Sequence, residues 1–272
     1  MFESMPPSLR RKLIGIGRYP ALFVERVLWG GEWREALWVW MLGQHYQSRF
    51  RREWLYCKAP PHFFNHRMGI FKFAFGRGDA VGPYSYFRGF FCSEVIQEGD
   101  RLLDIGCGDG FFTKRFYSAK CSEIDAIDID QEAINTARRC NHAQNTHYYQ
   151  LDAVRSPFPG KVYDVVVWDG AIGHFSPADC GRVLEKICNV LSPEGVFMGS
   201  ESLGKEEGGY DHLQFFSLDD LYSLFKAHFR HIEMRSVDYR IGWRGNSNRK
   251  EAYWRCSNSP TRLSGAGWHS YS

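Results

Sequence analysis

The stretch Arg101-Leu-Leu-Asp-Ile-Gly-Cys-Gly-Asp-Gly-Phe-Phe-Thr113 decides the fold of this chain. Leu102, Leu103 and Ile105 form the apolar run of a buried strand, three glycines follow it, and helix-forming residues resume at Phe111. Glycine lets a backbone turn tightly and approach a ligand where a Cβ would collide. A strand, a glycine-rich turn and a helix in this order predict the place where an α/β fold binds a nucleotide-like cofactor.

Two acidic residues in this turn indicate the charge of the cofactor. Asp104 stands before the first glycine, and Asp109 stands between the second and the third. Carboxylates at these points would repel the pyrophosphate of a dinucleotide. The turn therefore favours a cofactor that carries an ammonium and a sulfonium.

The string Asp104-Ile-Gly-Cys-Gly-Asp-Gly110 resembles the first motif of the class I S-adenosylmethionine-dependent methyltransferases. Three later segments, 124–130, 148–153 and 163–170, keep the order of strand ends in that family. The resemblance covers about residues 84 to 257. It implies S-adenosylmethionine as cofactor and S-adenosylhomocysteine as product.

The resemblance also implies cofactor-binding residues, all at the ends of predicted strands or in the turns after them. They are Asp104, Gly106, Gly108, Asp128, Asp152, Ala153 and Asp169. In the family, the first three positions surround the methionine moiety, the second acid binds both ribose hydroxyls, and the third acid meets the adenine. The fourth strand end faces the transferred methyl. A neighbouring acid, Asp130, is expected to cap the next helix.

Few catalytic groups are obligatory, because the sulfonium is already an activated leaving group. His174, just past the fourth strand, is the leading candidate for a base that takes a hydroxyl proton; alternatively, it only hydrogen-bonds its loop. His212, in the insertion after the fifth strand, is the second candidate. Weaker candidates are Glu201 and Tyr210 for the acceptor, and Tyr84, Tyr86 and Arg88 for the cofactor entrance.

Two departures from the motifs of related families narrow the range of possible acceptors. The Asn/Asp-Pro-Pro-aromatic motif of DNA amino-methyltransferases is missing, because the chain reads Asp169-Gly-Ala-Ile172 there. Gly173 stands where the metal-binding set of small-RNA methyltransferases needs an acid, so we predict neither a nucleic-acid acceptor nor a metal. We expect O-methylation of a small molecule or of a sugar, glycan or lipid-linked acceptor. N-methylation of a small amine and a non-catalytic, cofactor-binding regulatory subunit stay open.

The 272-residue chain is expected to form three parts. Residues 1–66 predict a basic, aromatic-rich helical extension, and residues 258–272 a flexible tail. Between them, residues 84–257 predict an α/β domain with a doubly wound, seven-stranded, mostly parallel sheet. The last two strands have no helical sequence between them and predict a hairpin. Ser192-Pro-Glu-Gly195 predicts a turn.

The extension needs a partner surface. Through Lys58 it carries ten basic and five acidic residues, whereas the whole chain has a net charge of +3. It could pack on the domain as a lid, form a dimer contact, or rest on anionic lipid as a basic, Trp-rich helix. No apolar run suits a signal peptide or a membrane-spanning helix, and eight scattered cysteines indicate reduced thiols. We expect a cytoplasmic protein, with contact to a membrane surface as the alternative.

Overall fold

The structure is a computed structural model that describes residues 81–204, 215, 217–241, 247–263, 265 and 267–271, together with positions 37, 40, 41 and 44. For 81–85, 240–241 and 247–248 it describes the backbone alone. The chain divides into two compact units, Met1–Arg49 and Phe50–Ser272. Most of the predicted extension, with its boundary at residue 66, lies outside the described residues.

The larger unit contains both strands and helices. The strands are β1 Arg101–Ile105, β2 Glu123–Asp128, β3 Thr146–Gln150, β4 Tyr163–Val167, β5 Leu191–Leu203, β6 His231–Ile241, β7 Ser247–Ser257 and β8 His269–Tyr271. The α-helices are α1 Val81–Ser93, α2 Gln131–Cys140, α3 Pro177–Val190 and α4 Leu218–Phe225. A short π-helix, Thr113–Tyr117, follows the glycine-rich turn, and a 3₁₀ turn, Ile172–His174, follows β4.

The strands form one sheet in the order β3-β2-β1-β4-β5-β7-β6-β8. Strands β1 to β5 pair in parallel, and β7 lies antiparallel between β5 and β6. The prediction of a doubly wound, mostly parallel sheet with a final hairpin is therefore confirmed, although the sheet has eight strands rather than seven. The strand order reverses between β1 and β4, and a crevice at that point commonly holds the ligand of such a fold.

The core has two layers because successive strand residues point to opposite faces of the sheet. Leu103 and Ile105 belong to one buried cluster, and their neighbour Leu102 belongs to the other. This alternation fixes β1 at the centre of the domain. It also fixes where the turn after β1 emerges.

The prediction of a turn at 192–195 is wrong, because these residues lie within β5. Tyr163 pairs with Leu191, whereas Val165 pairs with Val196, so the strand carries an irregular bulge at this point. Pro193 has no N–H to donate to a ladder, and a bulge tolerates such a residue. The local sequence is that of a turn, but the chain continues in the same direction.

The flexible tail predicted at 258–272 is also wrong, because much of this segment is packed on the domain. Strand β8 pairs with β6. Arg262 binds both carboxylate oxygens of Asp100, at 2.8 and 2.9 Å, and Leu263 is buried. The guanidinium of Arg255 lies 4.0 Å from the centroid of the Trp268 ring. Single anchoring residues hold a segment that has no periodic pattern.

A chain that ends at Asn258 should therefore be less stable than the full chain by about 2 kcal/mol or more. The loss combines burial of one leucine with a cation–π contact. Urea unfolding monitored by circular dichroism measures the difference. His269→Ala, which removes an exposed side chain of β8, should change the free energy of unfolding by only about 0.5 kcal/mol. If the truncated chain is as stable as the full chain, the prediction of a flexible tail stands.

Candidate cofactor and active site

A cavity of about 820 Å³ lies at the carboxyl ends of the central parallel strands. Its wall contains all of the predicted cofactor positions and the leading catalytic candidate: Asp104, Gly106, Gly108, Asp128, Asp152, Ala153, Asp169 and His174. These residues are spread over about 70 positions of sequence, yet the fold gathers them around one space. The other catalytic candidate, His212, lies outside the described residues, as does Tyr210.

The turn after β1 presents its backbone to this cavity. Gly106 and Gly108 have φ angles of +73° and +54°, in the left-handed region that glycine favours. A Cβ on Gly106 would lie 2.7 Å from the Cβ of Ala171. The amides of Gly106 and Cys107 both donate to the carbonyl of Ile127, at 2.8 and 3.0 Å, which ties the turn to β2. The turn is thus a fixed cradle that a side chain would fill.

Asp104 places a buried carboxylate beneath this cradle. Its Oδ2 accepts a hydrogen bond of 2.6 Å from Thr113, and the residue is 4% exposed. Burial raises the pKa of this carboxyl to about 7; the Thr113 bond lowers it, and the charge of Asp169 raises it further. A positively charged ligand beside Asp104 would favour the ionised form. The carboxylate therefore fits an ammonium or a sulfonium.

Asp128 stands at the end of β2 and binds the turn from the other side. Its Oδ2 accepts from the Gly108 amide at 2.8 Å, and its Oδ1 accepts from the Asp130 amide at 2.9 Å. Burial raises the pKa of this carboxyl, and the two amide bonds lower it. Each oxygen retains a second lone pair, so the carboxylate can still accept from two hydroxyls. Asp130 caps α2 through the amides of Glu132 and Ala133, as predicted.

The next turn shapes the opposite end of the cavity. Asp152 Oδ1 accepts from the amides of Val154 and Arg155 at 2.8 and 3.2 Å, which closes the turn locally. From α3, the Lys186 ammonium donates to the carbonyls of Ala153 and Ser156. Sequence reasoning missed Lys186, because a single lysine on a helix gives no sign of the loop that it reaches.

Asp169 is already paired with Arg88, which reaches it from α1. The Arg88 Nε lies 3.1 Å from both carboxylate oxygens, and Nη2 donates to the Asp169 carbonyl at 3.0 Å. Ser200 also donates to Oδ1 at 2.5 Å. Arg88 is 5% exposed and lines the cavity, whereas the side chain of Tyr86 is exposed. The Asp169 carboxylate thus holds the cavity wall together.

A network of buried, hydrogen-bonded polar groups continues from this pair into the sheet. Ser200 Oγ lies 3.1 Å from a carboxylate oxygen of Glu251, whose other oxygen lies 3.2 Å from Arg249 Nε. Burial raises the pKa of the Glu251 carboxyl to about 7, although Arg249 and Arg88 lower it. Sequence patterns gave no sign of this network, since its members come from distant strands.

His174 ends the 3₁₀ turn after β4, and its exposed side chain lies at the rim of the cavity. The backbone of the turn is fixed: the His174 amide donates to Ala171 at 3.1 Å. The Gly173 amide donates to Glu201 Oε2 at 2.9 Å. The predicted base therefore stands on an ordered support at the rim of the cavity.

Two kinds of feature are absent from the described part of the chain. In that part, no group of three or more His, Cys, Asp or Glu residues is placed to hold a metal ion. In the same residues, no helix is both long enough and apolar enough to cross a membrane.

Comparisons with known proteins identify the domain. A family model described as a methyltransferase domain matches residues 102–195. An uncharacterised chloroplastic methyltransferase of Arabidopsis thaliana is 33% identical over 143 residues, which cover 48% of this chain and 39% of the relative. The fatty-acid O-methyltransferase of Mycolicibacterium smegmatis is 29% identical over 109 residues, which cover 39% of this chain and 38% of that protein. The chain thus spans about two fifths of the length of these relatives.

Among solved structures, the N-methyltransferase NodS of Bradyrhizobium japonicum, in complex with S-adenosyl-L-homocysteine, matches with a TM-score of 0.50. The match has 16% identity and covers 64% of this chain and 88% of that chain, so it concerns the fold. The glycine cradle and the buried Asp104 below it suit the cationic cofactor of this family. Residues 102–195 therefore match a methyltransferase domain, and the fold of the domain is that of the S-adenosylmethionine-dependent methyltransferases.

Proposed function

We propose that this chain methylates an oxygen atom of a small molecule, or of a sugar, glycan or lipid-linked acceptor. The observation that carries the proposal is the exposed imidazole of His174 at the rim of the cavity, just beyond the end of β4. A neutral amine needs no base before it attacks a methyl, whereas a hydroxyl loses a proton. One relative of the chain is named as a fatty-acid O-methyltransferase, which agrees with an oxygen acceptor.

The residues of the cavity would bind three parts of the cofactor. The bound cofactor supplies an activated methyl on a sulfonium. Asp104 and the backbone of the glycine-rich turn would face its methionine moiety, and Asp128 would accept from its ribose hydroxyls. The turn that Asp152 closes would present the Ala153 amide to the adenine. Alignment of this kind supplies most of the rate in an in-line displacement.

His174 would complete the site by taking the hydroxyl proton as the oxygen attacks. A neutral imidazole can accept a proton near physiological pH, and its exposed position lets that proton pass to solvent. Both carboxylate oxygens of Asp169 already accept hydrogen bonds from Arg88, and one also accepts from Ser200.

Asp128→Ala should weaken the binding of S-adenosylmethionine by about ten- to a hundredfold, because a carboxylate contributes about 1.5–3 kcal/mol through charged hydrogen bonds. Isothermal titration calorimetry measures the affinity. Asp130→Ala is the matched control: it removes the cap of α2 and should lower stability by about 1 kcal/mol while the affinity stays level. Equal affinities for the wild type and a folded Asp128→Ala variant would remove the ribose assignment.

His174→Ala should lower turnover by about a hundredfold or more at unchanged affinity for the cofactor. Wild-type activity should rise with pH as the imidazolium loses its proton, and the variant should lack this rise. Transfer of a radiolabelled methyl to a panel of hydroxyl, carboxylate and amine acceptors measures both effects. If His174 were only structural, the variant would instead lose thermal stability and cofactor affinity together. Preferred methylation of amines would favour the N-methyltransferase alternative.

We also propose that the first compact unit contacts an anionic lipid surface. Leu37, Trp40, Met41 and Gln44 are helical at spacings that share one helix face, and Trp40 is 61% exposed. The surplus of basic residues through Lys58 complements anionic headgroups. This face is therefore suited to the boundary between headgroups and acyl chains.

Trp40→Glu should abolish sedimentation of the full chain with phosphatidylserine vesicles at low salt and leave cofactor affinity unchanged. Exposed Phe90, which belongs to the other compact unit, supplies the control variant Phe90→Glu. If the wild-type chain does not sediment with the vesicles, the lipid contact is excluded. A dimer that dissociates in the Trp40→Glu variant, seen by light scattering, would assign the face to a second copy instead.

A further inference from the structure

The turn between β4 and α3 is held at both of its ends by groups on β5. At one end, the Gly170 amide donates to the Ser200 carbonyl at 2.8 Å. At the other end, the Gly173 amide donates to the Glu201 carboxylate at 2.9 Å. Between them, Ile172 is fully buried. The exposed side chain of His174 therefore projects from a backbone with little freedom to move.

Glu201 is the side chain that supplies the second attachment. Its Oε2 accepts from Gly173, and its Oε1 accepts from the neighbouring amide of Ser202, also at 2.9 Å. Burial raises the pKa of this carboxyl, while the two amide bonds and the charges of Arg88 and Arg249 lower it. Both oxygens are engaged by fixed backbone donors, which sets the orientation of the carboxylate.

We propose that Glu201 is a positioning residue of this methyltransferase, which fixes the turn that presents His174 without contacting the acceptor. The proposal rests on the proposed role of His174. The contact to Ser202 is local, so the long-range effect of the carboxylate is directed at Gly173, the residue directly before the histidine. A displacement of about 1 Å in a catalytic group can lower a rate by about a hundredfold.

The same residue could have had a different function. The sequence makes Glu201 a weaker candidate for contact with the acceptor, and a carboxylate directed into the cavity would have supported that role. Its oxygens instead accept from the backbone of the turn and of β5. An amide in place of the carboxylate could still accept from Gly173 through its carbonyl oxygen. This property separates positioning by hydrogen bonding from any function that needs a negative charge.

The test compares Glu201→Ala with Glu201→Gln in the full chain saturated with S-adenosylhomocysteine. Hydrogen exchange read by mass spectrometry reports on the Gly173 amide, and NMR reports on the His174 imidazole. In Glu201→Ala, exchange at Gly173 should accelerate at least tenfold and the imidazole signals should shift, while exchange in β1 stays at the wild-type rate. Glu201→Gln should restore both signals. Glu233→Ala, which removes a buried acid on β6, should leave Gly173 protected.

Activity supplies the second readout, with an acceptor that the wild type methylates in the panel described above. Glu201→Ala should lower kcat about ten- to a hundredfold at unchanged cofactor affinity, and Glu201→Gln should recover most of it. Unchanged exchange at Gly173 in Glu201→Ala would overturn the proposal, as would a uniform acceleration over the whole domain. If exchange changes as expected but His174→Ala keeps its turnover, then the turn is positioned by Glu201 and the proposed base is wrong.

Discussion

The buried ion pair between Arg88 and Asp169 is the interaction on which the site depends. Each group loses several kcal/mol of hydration when it leaves water, and only close, multiple hydrogen bonds can offset that loss. Here the guanidinium contacts both carboxylate oxygens and the carbonyl of the same residue. The pair ties α1 to the end of β4, and the turn that carries His174 begins there. Loss of either partner would leave the other charged and buried in the cavity wall.

This pair also explains the glycine that follows it. Gly170 has a φ angle of +60°, and a Cβ at this position would overlap the Arg88 guanidinium. The backbone must therefore bend closely around a side chain that arrives from another element. Sequence alone offers a glycine after an acid, which fits any turn. The reason for this glycine becomes visible only when the arginine is in place.

Local patterns were sufficient for much of the fold. The strand and glycine turn at 101–110, the cap at Asp130 and the final hairpin depend on residues close in sequence, and they were predicted correctly. The meeting of the predicted cofactor positions at one cavity followed from the strand order. Arg88, by contrast, contacts a partner 81 positions away, and Lys186 reaches a loop about 30 positions away. No periodicity records such contacts, and the same holds for Trp268, which anchors a segment rich in glycine and serine.

The charge of the cavity wall affects what happens after methyl transfer. Asp104, Asp128 and Asp152 line one space, and burial raises the pKa of Asp104 to about 7, so its charge responds to the occupant. The sulfonium of the cofactor is positive, whereas the thioether left behind is neutral. An anionic wall binds the first more strongly than the second. If these carboxylates bind the cofactor as proposed, they hold the sulfonium form more strongly than the thioether, so methyl transfer itself weakens the binding of the product.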